Sequence, residues 1–159
     1  MIVAPLKDLK KELSYLSTEE LREVCLRISK HKKENKELLS YLLFHASNET
    51  EFIEIVKSEI DEQFETINRK TTYFIKKNIR KILAGTKKHI RYSKIKTTEI
   101  ELLIHFCKKL REFTPSIKRN KALFDLYERQ RLLIENAVNK LEEDLQFDYK
   151  EELEILTEF

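Results

Sequence analysis

Glycine and proline are nearly missing from this chain of 159 residues, which contains one Gly and two Pro. Turns, hairpins and long loops use these residues for backbone conformations that other residues adopt poorly. The composition therefore argues against a protein built from many short strands. Lys, Glu and Leu, which favour helices, are abundant instead, so the composition predicts an all-helical fold.

Long apolar runs and export features are also missing. The longest apolar stretch, 38–44, is interrupted by Ser40 and is too short to cross a bilayer. Because Lys7 closely follows the apolar first residues, no signal peptide is expected. Cys25 and Cys107 are the only cysteines, which favours reduced thiols over a disulfide framework. We expect a cytoplasmic protein that does not bind membranes.

The remaining composition is that of a single globular domain over residues 1–159. Hydrophobic residues make up 41% of the chain and charged residues 37%. This proportion supplies both a core and a solvated surface, and the length suffices for one domain.

Helix starts are marked by side chains that can accept hydrogen bonds from the backbone N–H groups of a first turn. Four starts have a polar cap followed three residues later by Glu, and a fifth has Thr before Pro. They are Ser17 with Glu20, Asn48 with Glu51, Thr98 with Glu101, Asp148 with Glu151, and Thr114 with Pro115. Together with apolar residues repeating every three or four positions, they predict eight helices. The predicted ranges are 5–16, 18–32, 34–46, 49–67, 70–92, 98–113, 116–146 and 148–157.

The short connections between these helices favour antiparallel neighbours. The expected hairpins are 18–32 with 34–46, 49–67 with 70–92, and 98–113 with 116–146. The predicted fold class is all-α, an irregular array or bundle of antiparallel helical hairpins without a sheet. Stacked hairpins also form α-solenoids, but no motif recurs and the hairpin starts are unevenly spaced. A solenoid-like array and a closed bundle both remain open.

Two segments carry specific expectations. Apolar residues cover most of the circumference of 34–46, which predicts a central helix covered on several sides. Gly85 lies within 70–92, where it either ends one helix or sits inside a longer one at a cost of about 1 kcal/mol.

The charges are strongly segregated along the chain, although the formal net charge is only +3. Residues 1–68 contain 10 Lys and Arg against 14 Asp and Glu, a net charge of −4. Residues 69–121 contain 17 against 3, a net charge of +14. Residues 122–159 contain 4 against 11, a net charge of −7. This segregation is the most informative feature of the sequence.

The cations of segment 70–92 fall on one side of the predicted helix. Phe74, Ile75, Ile82 and Leu83 fall on the other side. If the helix is unbroken, the cations form a strip about 23 Å long, with Tyr73 among them. The residues of this basic face, which is the candidate contact surface, are Lys76, Lys77, Arg80, Lys81, Lys87, Lys88 and Arg91.

Like charges in a strip repel one another, so something should offset them. One interpretation is a solvated face, or one balanced by the acidic C-terminal stretch that includes Asp125, Glu128 and Glu152. The others are an acidic protein partner and the phosphates of a nucleic acid. No sequence motif of a known nucleic-acid-binding module supports the last interpretation.

No catalytic, cofactor or metal site is predicted. Glu101 and His105, spaced i and i+4, are the one carboxylate–imidazole candidate, and such a pair usually forms a surface hydrogen bond. Cys25 and Cys107 lie on apolar stripes and are expected to be buried and unreactive. The predicted function is a non-enzymatic binding or scaffold module with a protein partner. A nucleic-acid-binding accessory protein that uses residues 70–96 is the alternative.

Overall fold

The computed structural model describes all 159 residues and is built from helices alone. Helices account for 79% of the chain and no strand is present, which confirms the all-α class. The α-helices are α1 (Leu6–Leu13), α2 (Thr18–His31), α3 (Lys33–Ser40), α4 (Glu49–Glu65), α5 (Thr72–Ser93), α6 (Lys96–Glu112), α7 (Lys121–Val138), α8 (Glu143–Asp148) and α9 (Lys150–Thr157). A π-helical segment, Tyr41–His45, follows α3, and a 3-10 turn, Ile117–Arg119, precedes α7. None of the helices combines the length and the apolar content needed to cross a membrane.

The chain divides into two compact units, residues 1–44 and 45–159. The interpretation of residues 1–159 as one domain stays a prediction. In the first unit, α2 and α3 pack against each other. The predicted capping box at the start of α2 is confirmed: Ser17 Oγ accepts from the Glu20 backbone N–H at 3.2 Å, and the Glu20 carboxylate accepts from the Ser17 N–H at 2.7 Å.

The prediction that 34–46 forms a central, covered helix is wrong. The α-helix ends at Ser40, and the apolar residues that follow it are largely exposed, with Phe44 at 72%. Tyr41 is the only buried residue in 1–44. An apolar circumference is covered only when neighbours pack on every side. In this unit α2 packs against α3, and the remaining apolar side chains stay in contact with solvent.

In the second unit the core is organised around α6. This helix packs against α4, α5, α7 and α9. Its apolar side chains are almost inaccessible to solvent; they are Ile100, Leu102, Leu103, Ile104, Phe106, Cys107 and Leu110. Burying a large apolar side chain contributes about 1.5–3 kcal/mol to folding. Helix α6 therefore provides the centre of the core of this unit.

Polar contacts fix the directions of α4, α5 and α6. Glu49 at the start of α4 accepts a hydrogen bond from Thr98 in the first turn of α6 at 2.6 Å. Further along both helices, Asp61 of α4 contacts His105 of α6 at 2.7 Å. Helices α4 and α6 therefore run in the same direction. Glu49 also accepts from Ser93 at the end of α5, which places the end of α5 beside the start of α4. Consecutive helices α4 and α5 are therefore antiparallel, as the short connection predicts.

Asn48 caps α4 as predicted, since its Oδ1 accepts from the Glu51 backbone N–H at 3.3 Å. The predicted caps at Thr98 and Asp148 are wrong. Helix α6 begins two residues before Thr98, whose hydroxyl is buried and bonds to Glu49 instead. Asp148 is the last residue of α8, so its backbone is already helical and α9 begins only at Lys150.

The predicted helix 116–146 is also wrong, because the chain leaves the helix at both ends of α7. The buried Ile117 draws the segment after Thr114–Pro115, a cis peptide, into the core before α7 begins, and Asn120 caps α7 instead. At the other end α7 stops after Val138. The side-chain amide of Gln146 donates to the backbone carbonyl of Leu141, a polar group that continued helix would otherwise have satisfied.

Candidate functional site

Helix α5 carries the basic face and runs without interruption for 22 residues. Thr71 caps it, its Oγ1 accepting from the Phe74 backbone N–H at 3.2 Å. Gly85 lies inside the helix, so the continuous-helix alternative is the one that the structure adopts. The helix ends where Lys94 adopts a left-handed conformation with φ 58°. The cations of α5 therefore lie on a single continuous helix.

The side of α5 opposite the basic face is anchored in the core. Its buried members are Ile75, Ile79, Ile82, Leu83, Thr86 and Ser93. The Thr86 hydroxyl donates to the Ile82 carbonyl at 3.0 Å, which satisfies the one polar group in the middle of this surface. The spacing of Phe74 predicts that it lies on the core side of α5. This prediction is wrong, because its side chain is 38% exposed. The helix is thus held by its aliphatic residues, and Phe74 stands at the edge.

The structure brings all seven residues of the basic face to one surface. At 100° per residue they fall within an arc of about 140°. Lys77, Arg80, Lys81 and Arg91 are exposed, and Lys76, Lys87 and Lys88 are half-buried. None of the seven residues is buried, so a partner could reach this surface of the helix.

Six of the seven cations make no ion pair within the chain: Lys76, Lys77, Arg80, Lys81, Lys87 and Arg91. Two residues of the acidic C-terminal stretch are engaged elsewhere. Glu152 of α9 pairs with Lys108 at 2.5 Å, and Glu128 of α7 pairs with Arg131 at 3.0 Å. The interpretation that the acidic C-terminal stretch balances the basic face is therefore not supported by any ion pair with these six cations.

The predicted Glu101–His105 pair does not form. Glu101 Oε2 instead accepts from Lys57 Nζ at 3.1 Å, and His105 Nε2 lies 2.7 Å from Asp61 Oδ1. Both residues point across to α4 rather than toward each other, because the two helices lie side by side. Sequence spacing within one helix could not reveal this choice of partner.

A small cleft of about 100 Å³ lies beside these pairs, between α4, α6 and the C-terminal helices, and Tyr149 lines it. Burial and the carboxylate of Glu101 raise the pKa of Tyr149 to about 12, so its hydroxyl stays protonated. Lys57 binds Glu101, and Lys108 binds Glu152. These ionisable groups neutralise one another, which is typical of a structural ion-pair network. No group of three His, Cys, Asp or Glu side chains is arranged to hold a metal ion.

The two cysteines differ in environment, and only one behaves as predicted. Cys107 is fully buried in α6, and burial raises the pKa of its thiol to about 12. Cys25 is exposed on α2, so the prediction of a buried Cys25 is wrong. Its apolar stripe on α2 contains no buried residue, although α2 packs against α3. The two thiols form no disulfide.

An open groove of about 630 Å³ runs between α7 and the C-terminal helices, and the sequence does not predict it. Val138, Phe147 and Leu153 contribute apolar surface, and Glu135 and Glu154 are among the acidic residues that line it. The groove exists because the chain turns after Val138 and folds back, whereas the sequence pattern predicts one continuous helix. Asn139, which stands at the C-cap of α7, is the sequence signal that could have indicated a turn here.

Comparison of the chain with protein-family models, with curated proteins and with solved structures finds no match. The functional argument therefore depends on the residues of the chain itself, and on the basic face above all.

Proposed function

We propose that the protein is a non-enzymatic binding module of the cytoplasm that holds a negatively charged macromolecule against the basic face of α5. An acidic surface of a protein partner is the first candidate for that macromolecule. A nucleic acid is the second, and it is favoured by the exposed ring of Tyr73 among the cations.

The observation that carries this proposal is the set of six cations without an internal partner. Lys76 and Arg80, Lys77 and Lys81, and Lys87 and Arg91 are i and i+4 pairs of like charge. Each such pair destabilises a helix by a few tenths of a kcal/mol. A bound polyanion would remove this repulsion and would be attracted by the combined field of the strip.

The non-enzymatic part of the proposal is supported by how the ionisable side chains are used. The carboxylates and ammonium groups of the cleft near Tyr149 pair with one another, and the thiol of Cys107 is buried and protonated. The cations of the basic face lie on a convex helix surface, which suits contact with an extended partner rather than enclosure of a small substrate.

The test uses immobilised heparin, a sulfated polysaccharide, as a model polyanion. The variant carries Lys77→Glu, Arg80→Glu and Lys81→Glu, three exposed residues of the basic face. The matched control carries Lys7→Glu, Lys10→Glu and Lys11→Glu, which are exposed on α1 and produce the same change in net charge.

Wild type and control are expected to elute at similar, high salt, and the basic-face variant at much lower salt. The melting temperature of the variant should stay close to that of wild type, because surface substitutions each change stability by about 0.5 kcal/mol or less. Equal retention of the two variants would contradict the proposal, as would wild-type protein that heparin does not retain at low salt.

A further inference from the structure

Two aromatic rings stand exposed at the N-terminal end of the basic face. Tyr73 is 65% exposed and Phe74 is 38% exposed. Their ring centroids lie 5.6 Å apart with an interplanar angle of 70°, so the two rings support each other edge to face. Tyr73 lies near the middle of the arc of cations, and Lys76 and Lys77 follow it by one helical turn.

The other aromatic candidates on α5 are engaged within the fold. His89 contacts Phe52 with centroids 6.1 Å apart and Tyr92 with centroids 6.0 Å apart, and its Nε2 lies 3.7 Å from a carboxylate oxygen of Glu59. No cation lies over the Tyr73 ring, whereas Phe113 and Phe159 both have cations over their rings. Of these rings, Tyr73 is the one that is both exposed and surrounded by the cations of the basic face.

An exposed ring among cations suits one class of polyanion better than the others. Acidic side chains of a protein are attracted by positive charge alone and do not require an aromatic ring. In a duplex the faces of the bases are covered by the neighbouring bases, so a ring cannot stack on them. An unpaired strand presents both phosphates and the flat faces of its bases, and aromatic side chains stack on those faces without regard to sequence.

We infer that the basic face binds single-stranded nucleic acid, with Tyr73 stacked on an unpaired base and the cations of the basic face contacting phosphates. This inference rests on the proposed function, because it names the partner of the same surface. The cations provide attraction to any polyanion, and Tyr73 provides the preference for an unpaired strand. The strip is about 23 Å long. If it contacts about five phosphates, the logarithm of the association constant should fall with the logarithm of salt concentration with a slope of about −3.5.

The experiment measures fluorescence anisotropy of labelled 20-nucleotide probes at low salt. The probes are single-stranded DNA, single-stranded RNA of the same sequence, the matching DNA duplex, and an abasic DNA strand that keeps the phosphates but has no bases. The protein variants are Tyr73→Leu, which keeps apolar volume but removes the aromatic face, and Tyr73→Phe, which keeps it. Tyr15→Leu is the matched control, because Tyr15 is 70% exposed and lies outside α5.

Wild type should bind both base-containing single strands more tightly than the duplex or the abasic strand. Tyr73→Leu should weaken binding of those two single strands by roughly 5- to 150-fold, the range expected for one stacked base. It should leave the abasic strand, the duplex and the heparin elution unchanged. Tyr73→Phe and Tyr15→Leu should bind like wild type. The ratio of the affinities for the RNA and DNA probes shows which of the two kinds of single strand the protein prefers.

The outcomes separate this inference from the proposed function. Retention on heparin without binding to any single-stranded probe would leave the proposed function standing, overturn the inference and indicate an acidic protein partner. Equal affinity of wild type and Tyr73→Leu for the base-containing strands would overturn the stacking role. Wild-type protein that binds neither heparin nor any oligonucleotide would overturn both the inference and the proposed function.

Discussion

Asp61 of α4 and His105 of α6 meet across the helix interface, with Oδ1 and Nε2 2.7 Å apart. Lys109, one turn further along α6, places its Nζ 3.3 Å from the same Asp61 oxygen. Burial raises the pKa of Asp61, but the hydrogen bond with His105 and the charges of His105 and Lys109 outweigh it. The pKa of Asp61 therefore lies below its ordinary value of 3.8. The pair joins two helices that are far apart in sequence, so it reports on tertiary structure.

The first prediction concerns Asp61→Asn and the pH dependence of stability. A carboxyl whose pKa is lowered by folding stabilises the fold fully above its unfolded pKa, and this contribution is lost as the pH falls through the folded value. At pH 7 the variant should lose less than about 1 kcal/mol, because the side chain is partly exposed and screened by solvent. The difference from wild type should shrink as the pH falls below about 3.8.

Urea unfolding at a series of pH values from 7 to 3 measures this difference. Glu23→Gln in the middle of α2, where Glu23 is exposed and has no ion pair, is the control and should show no such difference. A difference that grows on acidification would contradict the assignment of the lowered pKa to the folded state.

The second prediction distinguishes the two cysteines. Cys25 is exposed and Cys107 is buried with its pKa raised to about 12, so only Cys25 should react quickly with a thiol reagent. Mass spectrometry after a short treatment with iodoacetamide at pH 8 should find one adduct, on Cys25. A second adduct should appear only after unfolding in urea. Fast double labelling of the native protein would mean that α6 is not packed as described.

Local signals predict the fold well wherever residues close in sequence supply all the partners. The cap at Asn48 and the capping box at Ser17 depend on residues within one turn, and both are found. The apolar stripe of α6 was recognised from its spacing, and Cys107 is buried as that stripe predicts. Such features are decided by helix geometry alone.

Local signals failed where a distant residue competed for the same group. Thr98 has the spacing of a cap, but its hydroxyl bonds to Glu49, 49 positions earlier in the chain. Glu101 and His105 share a helix face, yet each bonds to a residue of α4. Cys25 lies on an apolar stripe of α2 that contains no buried residue. The basic face was predicted from spacing because exposed residues need no partner within the fold, whereas the exposure of Phe74 depends on neighbours that the sequence does not identify.

The third prediction concerns the attachment of α9. The Tyr127 hydroxyl on α7 donates to the backbone carbonyl of Leu156 at 2.7 Å, and both residues are fully buried. Leu156 is the only buried residue of α9, so this bond lies where the helix enters the core. Tyr127→Phe should lower the free energy of unfolding by about 1–3 kcal/mol, because it leaves a buried carbonyl without its donor.

Urea unfolding measures the loss, and limited proteolysis should show earlier cleavage within α9. Tyr15→Phe is the matched control, since Tyr15 is exposed and should tolerate the change without effect. A Tyr127→Phe variant as stable as wild type would mean that α9 is held by other contacts, such as the bond from Arg111 to the carbonyl of Ile155.

The last prediction uses Gly85 in the middle of α5. The helix is continuous through this residue, its φ is not positive, and a Cβ atom added there would meet no atom within 4 Å. Gly85→Ala should therefore raise the free energy of unfolding by about 0.4–1 kcal/mol, because Ala favours the helix and restricts the unfolded chain. In a domain of this size the melting temperature should rise by roughly 1–4 °C.

Ala84→Gly, at the exposed neighbouring position, is the control and should change stability by a similar amount in the opposite direction. Because Gly85 lies outside the arc of cations, Gly85→Ala should elute from heparin like wild type. Destabilisation by Gly85→Ala would mean that the helix is interrupted at this residue, and the basic face would then consist of two shorter strips rather than one.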